Sequence, residues 1–372
     1  MRSTYLLTTT AVLALALWST GANAASKWDG SDDLATSPLA CGAGPAAAAA
    51  PMKYDGGQPT NAPNKAGKEI SLVDVPKLIG IGYFNATSKG ISDAAKELGN
   101  VKAKTDGPTE AKIDEQIKFI DNYITSGVDG ILFAANDPVA IAPVLKKALS
   151  KGIHVVGYDA NSTPDAREWF INQSPFNGIG KAMIDALAKE EGEDAAFGIV
   201  TSTFTTPNQA RWIAEMQAYA AKCHPKLQWL ETVEAQEDNN LSFNQATTLI
   251  NKYGDKLKGL FGMTSVATPA GAEAVTKAKE CGKIAVIGLA TPNAMKPYVH
   301  ADCVKSVVLW NPIDLGYAAT YVLRAVVDGK LKPGDTSVDA GKLGKLNVIN
   351  GSEILLGAPF IYDKANIDKF DF

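Results

Sequence analysis

Positive charge is in short supply in this chain. Its 36 Lys and Arg stand against 40 Asp and Glu, for a net charge of −4. Non-specific nucleic-acid binding draws on a cationic surface, and no Lys/Arg cluster supplies one locally, so no nucleic-acid partner is expected. Histidine is scarcer still: His154, His224 and His300 are the only three in 372 residues, and they are scattered. Without an H-E-x-x-H run or paired-cysteine spacing, no metal site is nominated. The G-x-S-x-G elbow of an α/β-hydrolase is missing, and so is a phosphate-cradling G-x-x-x-x-G-K-[ST] loop. GIGYF (80–84) lacks the third glycine of a dinucleotide loop, so no cofactor is expected. The one enzymatic route left open is a carboxylate pair, Asp159 with Glu110 or Asp137, as in an exported glycoside hydrolase.

What is present begins at the N-terminus. Arg2 precedes the apolar run LLTTTAVLALALW, and Gly21-Ala22-Asn23-Ala24 follows. That order matches the charged, apolar and small-residue regions of a secretory signal peptide, with cleavage after Ala24. Residues 1–24 are therefore read as the signal and the mature chain as exported. Residues 25–69 are polar and low in complexity (CGAGPAAAAAP, GGQPTNAPNKAG) and are read as a flexible lead-in. Four cysteines, Cys41, Cys223, Cys281 and Cys303, allow three pairings. Cys281 and Cys303 each stand just before an expected strand and are favoured as one disulfide; the arrangement of Cys41 and Cys223 stays open.

From residue 75, apolar runs of strand length alternate with helical periods. PKLIGIGYF reads as a strand, SKGISDAAKELG as a helix, VKAKTDG as a strand and GILFAAND as another. Between the last two, Ile113, Ile117, Ile120 and Ile124 mark one helix face and Gly127 stops it. Such alternation is the pattern of βαβ units and parallel sheets. An internal repeat sharpens this. GILFAANDPVAIAPVLKKALSKGIHVVGYDANSTP (130–164) and GLFGMTSVATPAGAEAVTKAKECGKIAVIGLATPN (259–293) share the order strand, polar loop, helix, Gly, strand, Gly, Pro-containing loop. The expected fold is α/β: two doubly wound, Rossmann-like lobes with a cleft between them, at the carboxyl ends of the strands. The repeat aligns Asn136 with Ser265 and Asp159 with Ala290, so the two lobes offer the cleft different chemistry.

Asp159 itself ends the apolar run IHVVGY, and a buried carboxylate is costly unless something hydrogen-bonds it. Around it, Lys77 and a set of neutral hydrogen-bonding and aromatic residues gather at expected strand ends: Tyr83, Phe84, Asn136, Asn208, Gln209, Ser265, Trp310 and Asn311. Amides and an acid bond vicinal hydroxyls, and aromatic faces cover the C–H faces of a sugar ring. As a set they suit a small polyhydroxylated molecule.

Three stretches, PKLIGIGYFNATSKGISDAAKELG, DGPTEAKIDEQIKFIDNYITSGVDGILFAANDP and GYDANSTPDAREWFINQ, resemble the type I periplasmic sugar-binding proteins of ABC importers. LATPNAMKPYV, SVVLWNPIDLGYAATYV and DKANIDKFDF extend the likeness over roughly residues 73–372, nearest the autoinducer-2 receptor and rhamnose-binding branch. The resemblance implies a three-crossover hinge. Residues 70–171 plus 311–342 would form one lobe and 172–310 plus 343–372 the other, closing on ligand. It also implies a non-enzymatic monomer that hands a small sugar-like ligand to ABC permease subunits in the periplasm.

Lys77, Asp159 and Gln209 match ligand positions of the autoinducer-2 receptors. Asn208 stands where a second Asp is expected, Met263 for a Pro, and Ser265 for an Ala. These departures favour a rhamnose-like deoxysugar, another pentose or hexose, or a sugar alcohol, with autoinducer-2 as the alternative. The wider family implies that Trp310 stacks on the ligand, that Asn136 bonds its hydroxyls, and that Arg211 joins from the NQARW segment.

Overall fold

The computed structural model describes Cys41 and residues 53–372; the signal read over residues 1–24 lies outside the described residues. Five parallel strands, β1 (Ile70–Val75), β2 (Val101–Thr105), β3 (Gly130–Phe133), β4 (His154–Tyr158) and β5 (Trp169–Asn172), form the heart of one sheet. Helices α1 (Gly82–Leu98), α2 (Ile113–Ser126) and α3 (Ala142–Ser150) connect them. Every residue of β3 is buried, as a parallel strand covered on both faces requires. Helix α2 carries Asp114 and Glu115 in its first turn and ends at Gly127, whose positive φ of 74° lets its N–H return to the last turn.

PKLIGIGYF is not a strand. The strand is the preceding ISLVDV; Pro76 ends it, and Gly80, at φ 91°, turns the chain into α1. Tyr83 and Phe84 thus stand on the first turn of a helix at the carboxyl end of β1.

A second parallel sheet holds β6 (Ala196–Thr201), β7 (Gln228–Glu234), β8 (Leu257–Gly262) and β9 (Ala285–Gly288), in the order β7-β6-β8-β9. Its helices are α4 (Phe176–Glu191), α5 (Pro207–Cys223), α6 (Asn239–Tyr253), α7 (Ala267–Ala278) and α8 (Pro292–His300). The repeated segments become β3–α3–β4 in one body and β8–α7–β9 in the other. Strand β10 (Ser306–Leu309) continues beside β9 through a bridge between Leu289 and Val308. Helix α9 (Pro312–Val327) then returns to the first body and packs along α1.

Two glycines make that packing close. A Cβ added at Gly90 would lie 1.8 Å from the carbonyl oxygen of Ile313, and one at Gly316 would lie 2.0 Å from that of Thr87.

The last part of the chain departs from the expected lobe boundaries. Strands β11 (Ser337–Asp339), β12 (Lys345–Asn350) and β13 (Glu353–Leu355) extend the first sheet, with β13 parallel to β5. Residues 343–355 therefore belong with the first body, where Asn172 on β5 donates to the Glu353 carboxylate at 2.6 Å. From β14 (Phe360–Asp363), antiparallel to β10, the chain lies with the second body, where Asp368, Phe370 and Asp371 bond to α8. The chain thus passes between the bodies three times: after β5, after β10 and after β13.

Nor is the lead-in free over residues 53–69. Tyr54 packs edge-on to Trp169, with its hydroxyl donating to the Glu168 carbonyl at 2.9 Å. The Gly57 N–H reaches Arg167 O at 2.8 Å, and the Arg324 guanidinium donates to the carbonyls of Lys65 and Lys68. Low complexity hid these contacts because they use backbone atoms, which every sequence carries.

Disulfides join Cys281 to Cys303 and Cys41 to Cys223. The first closes a separation of 22 residues, so replacing both Cys281 and Cys303 with serine is expected to cost about 2–4 kcal/mol. Urea unfolding of that variant beside wild type measures the loss.

Asp74 of β1 is wholly buried and accepts hydrogen bonds from the Tyr158 hydroxyl at 3.0 Å and the Thr105 hydroxyl at 3.1 Å. Desolvation outweighs both and pushes its pKa from 3.8 up to about 7. Between those two values the folded protein keeps a proton that the unfolded chain has released. The contribution is fully present at low pH and is lost as pH rises through about 7. Asp74→Asn is therefore expected to exceed wild type in stability at pH 8 by on the order of 2–4 kcal/mol and to match it near pH 4. Denaturant titrations at the two pH values check this.

Candidate functional site

The carboxyl ends of both sheets face one cavity of about 40 Å³, room for a few waters. Its first-body wall comes from Lys77 and Ile81 in the loop after β1, Tyr83 and Phe84 on α1, and Asp159 after β4. The second body contributes Asn208, Gln209 and Trp212 from α5, Glu237 after β7, Met263, Thr264 and Ser265 after β8, and Leu289 after β9. Leu309 and Trp310, where the chain crosses back, complete it.

Asp159 is the hub. It is 3% exposed and sits at φ 61°, a left-handed conformation that Asp and Asn tolerate better than other side-chain-bearing residues. Its Oδ1 accepts from the Tyr83 hydroxyl at 2.9 Å, and that hydroxyl in turn accepts from the Trp310 indole N–H at 3.0 Å. Burial and the adjacent Asp159 charge raise the Tyr83 pKa well above its ordinary value, so the phenol stays a donor.

Asp159 Oδ2 lies 3.0 Å from Lys77 Nζ as an ion pair, yet has no partner in hydrogen-bond geometry. Lys77, also buried, donates to Asn208 Oδ1 at 3.3 Å, and Asn208 Nδ2 reaches Asp159 Oδ1 at 3.4 Å. These two contacts latch one body to the other. Both members of the ion pair are shielded, so each depends on the other for compensation.

Gln209 is fixed from behind: its Oε1 accepts from the Thr201 hydroxyl at 2.6 Å and the Ser202 N–H at 2.8 Å, which turns Nε2 toward Glu237 at 3.2 Å. Around this polar set stand aromatic rings. Tyr83 is edge-on to Phe84 and to Trp310, with centroids 5.1 and 6.0 Å apart, and Trp212 lies 5.7 Å from Trp310. The buried indole N–H of Trp212 has no acceptor. The cavity therefore combines unsatisfied acceptors, an unsatisfied donor and ring faces. Its chemistry suits a molecule that both gives and takes hydrogen bonds and has an apolar face, admitted when the bodies part to widen it.

Of the residues expected from sequence, Lys77, Tyr83, Phe84, Asp159, Asn208, Gln209, Met263, Ser265 and Trp310 come together at this cavity. Three stand elsewhere. Asn136 spends its amide on Lys77 O at 2.9 Å and Gln116 Oε1 at 3.2 Å, so it holds the Lys77 loop in place. Arg211 pairs with Glu215 one helical turn on, at 2.9 Å. Asn311 caps α9 by accepting from the Ile313 and Asp314 N–H groups. The hydrolase partners are also misplaced: Asp137 accepts from the Val139 and Ala140 N–H groups, and Glu110 pairs with Lys112 in solvent.

Trp212 and Glu237 were not foreseen. Trp212 follows Asn208 by four residues, a spacing that stacks both on one helix face. Glu237 follows the end of β7, where the strand-end rule would have placed it. Among the described residues there is no cluster of His, Cys, Asp and Glu able to hold a metal ion, and no helix is long and apolar enough to cross a membrane.

A family model described as periplasmic binding protein domain matches residues 73–331. Among curated proteins, a D-ribose/D-allose-binding protein of Pseudomonas aeruginosa is 29% identical over 195 residues, half of this chain and 60% of that protein. The D-allose-binding periplasmic protein of Escherichia coli is 26% identical over 276 residues, 70% of this chain and 86% of that one. Among solved structures, an ABC transporter solute-binding protein of Clostridium phytofermentas with bound L-rhamnose superposes with a TM-score of 0.75. It is 27% identical and covers 81% of this chain and 98% of its own.

Proposed function

This chain belongs to the family of periplasmic binding protein domains, and we propose that it is an exported, monomeric receptor. In this reading it captures a small neutral sugar between its two sheet bodies and delivers it to the permease of an ABC importer. The observation that carries the reading is the cavity's buried polar atoms without a partner in hydrogen-bond geometry, Asp159 Oδ2, Glu237 Oε2 and Trp212 Nε1, set among aromatic rings. A hydroxyl donates and accepts at once, and a ring's C–H face packs on an indole. No bond in the ligand need change.

The sugars bound by the relatives, ribose, allose and rhamnose, frame the ligand class. The latch through Lys77, Asp159 and Asn208 supports a hinge cycle. Entry requires the bodies to part, and a ligand bonded to both would favour the closed state by its differential affinity. Denaturing the purified protein and identifying what it releases by mass spectrometry tests the reading. A stoichiometric monosaccharide or polyol is expected; a stoichiometric amino acid, peptide or metal would contradict it.

A further inference from the structure

Glu237 brings an acid to the second body's side of the cavity, opposite Asp159. Its Oε1 accepts from Gln209 Nε2 at 3.2 Å and the Thr264 hydroxyl stands beside the carboxyl, whereas Oε2 is buried with no partner in hydrogen-bond geometry. The other donor at the cavity with full charge, Lys77, is already engaged by Asp159 and Asn208. A buried carboxylate oxygen without a donor is costly.

The backbone around it is costly as well. Gln236 and Glu237 both adopt left-handed φ, 52° and 56°, without being glycine. The turn is pinned by the Gln236 N–H to Ser202 O at 2.9 Å and the Asp238 N–H to Ala235 O at 2.8 Å, before Asp238 caps α6. Two adjacent strained residues persist only where the surroundings dictate them. The groups facing this carboxyl are Gln209, Thr264, Lys77 and, with like charge, Asp159; burial is the largest influence and raises its pKa.

We propose that Glu237 is a specificity-determining contact: its Oε2 accepts a hydrogen bond from one ligand hydroxyl, so the site favours a sugar carrying that hydroxyl over its deoxy analogue. This rests on the sugar-receptor reading and deepens it, because it divides sugars hydroxylated at one particular carbon from those deoxygenated there. A methylene or methyl group there would leave the carboxylate unpaired in the closed state. A site built to bond a hydroxyl rejects the analogue lacking it far more strongly than an apolar pocket rejects an added group.

The test is calorimetric. D-allose, D-ribose and L-rhamnose are titrated into wild type first, then the monodeoxy analogues of the tightest binder. The same titrations follow on Glu237→Ala and on Glu237→Gln, which keeps the side-chain volume should the alanine variant fold poorly. In wild type, deleting one particular hydroxyl is expected to weaken binding about 10- to 100-fold. In Glu237→Ala that same deletion should cost no more than about 3-fold, while deletions elsewhere keep their wild-type cost. Glu237→Gln, a neutral acceptor, should fall between. Variants that bind the whole panel within about 3-fold of wild type, or deletion costs that are the same with and without Glu237, overturn the proposal and leave the receptor reading standing. A wild type that binds none of the sugars overturns both.

Discussion

Asp159→Ala is expected to lower sugar affinity by at least about 100-fold, with the folded protein retained. Two losses combine. The ligand forfeits a charge-assisted acceptor, worth roughly 1.5–3 kcal/mol. The closed state then buries Lys77, 4% exposed, with the neutral Asn208 amide as its hydrogen-bond partner and no carboxylate in ion-pair contact. Removing one partner of a buried pair costs about 3–5 kcal/mol when the other charge stays buried. Here the charge has an escape, because parting the bodies returns Lys77 to water. The penalty therefore falls on closure, and so on binding, more than on folding. Alanine also inherits a φ of 61°, so Asp159→Asn, which tolerates that conformation, separates strain from charge. Calorimetry gives the affinities and a thermal melt gives the stability. An alanine variant that binds normally but melts far below wild type would make Asp159 a scaffold residue.

The second large effect is remote from ligand. Gly316→Ala is expected to destabilise the protein by about 3 kcal/mol, a fall of roughly 6–12 °C in melting temperature. Its new methyl would meet the Thr87 carbonyl at 2.0 Å, and backbone cannot rotate aside as a side chain can. Gly90→Ala should behave alike, meeting Ile313 O at 1.8 Å. Gly178→Ala on α4, whose nearest neighbour would be 3.7 Å away, is the contrast. It should be neutral or gain up to about 1 kcal/mol from helix propensity. Because α1 carries Tyr83 and Phe84 and α9 begins just after Trp310, forcing these helices apart should also weaken binding.

The twin βαβ order was legible because period and punctuation are local properties of sequence. Asp159 was legible for a related reason: an acid closing an apolar run stands where a parallel strand meets the cleft. Asn136 occupies the equivalent place after β3 and still turns away, since Gln116, on a helix twenty residues earlier, claims its amide. That competition depends on side-chain direction, which spacing does not encode. Rotation around α5 is hidden in the same way: Arg211 turns to Glu215 while Trp212 lines the cavity. The β12–β13 edge was missed because a three-residue strand such as Glu353–Leu355 has no periodicity to read, and its partner β5 lies far back in the chain. Glu237 lay hidden in AQEDNN, which reads as a polar turn before a helix.

The most direct measurement is a calorimetric titration of the wild-type protein with pentoses, hexoses, 6-deoxyhexoses, sugar alcohols and autoinducer-2. The account expects saturable binding of at least one neutral sugar or polyol at one molecule per chain. Well-folded protein that gives no binding with any of them would contradict it.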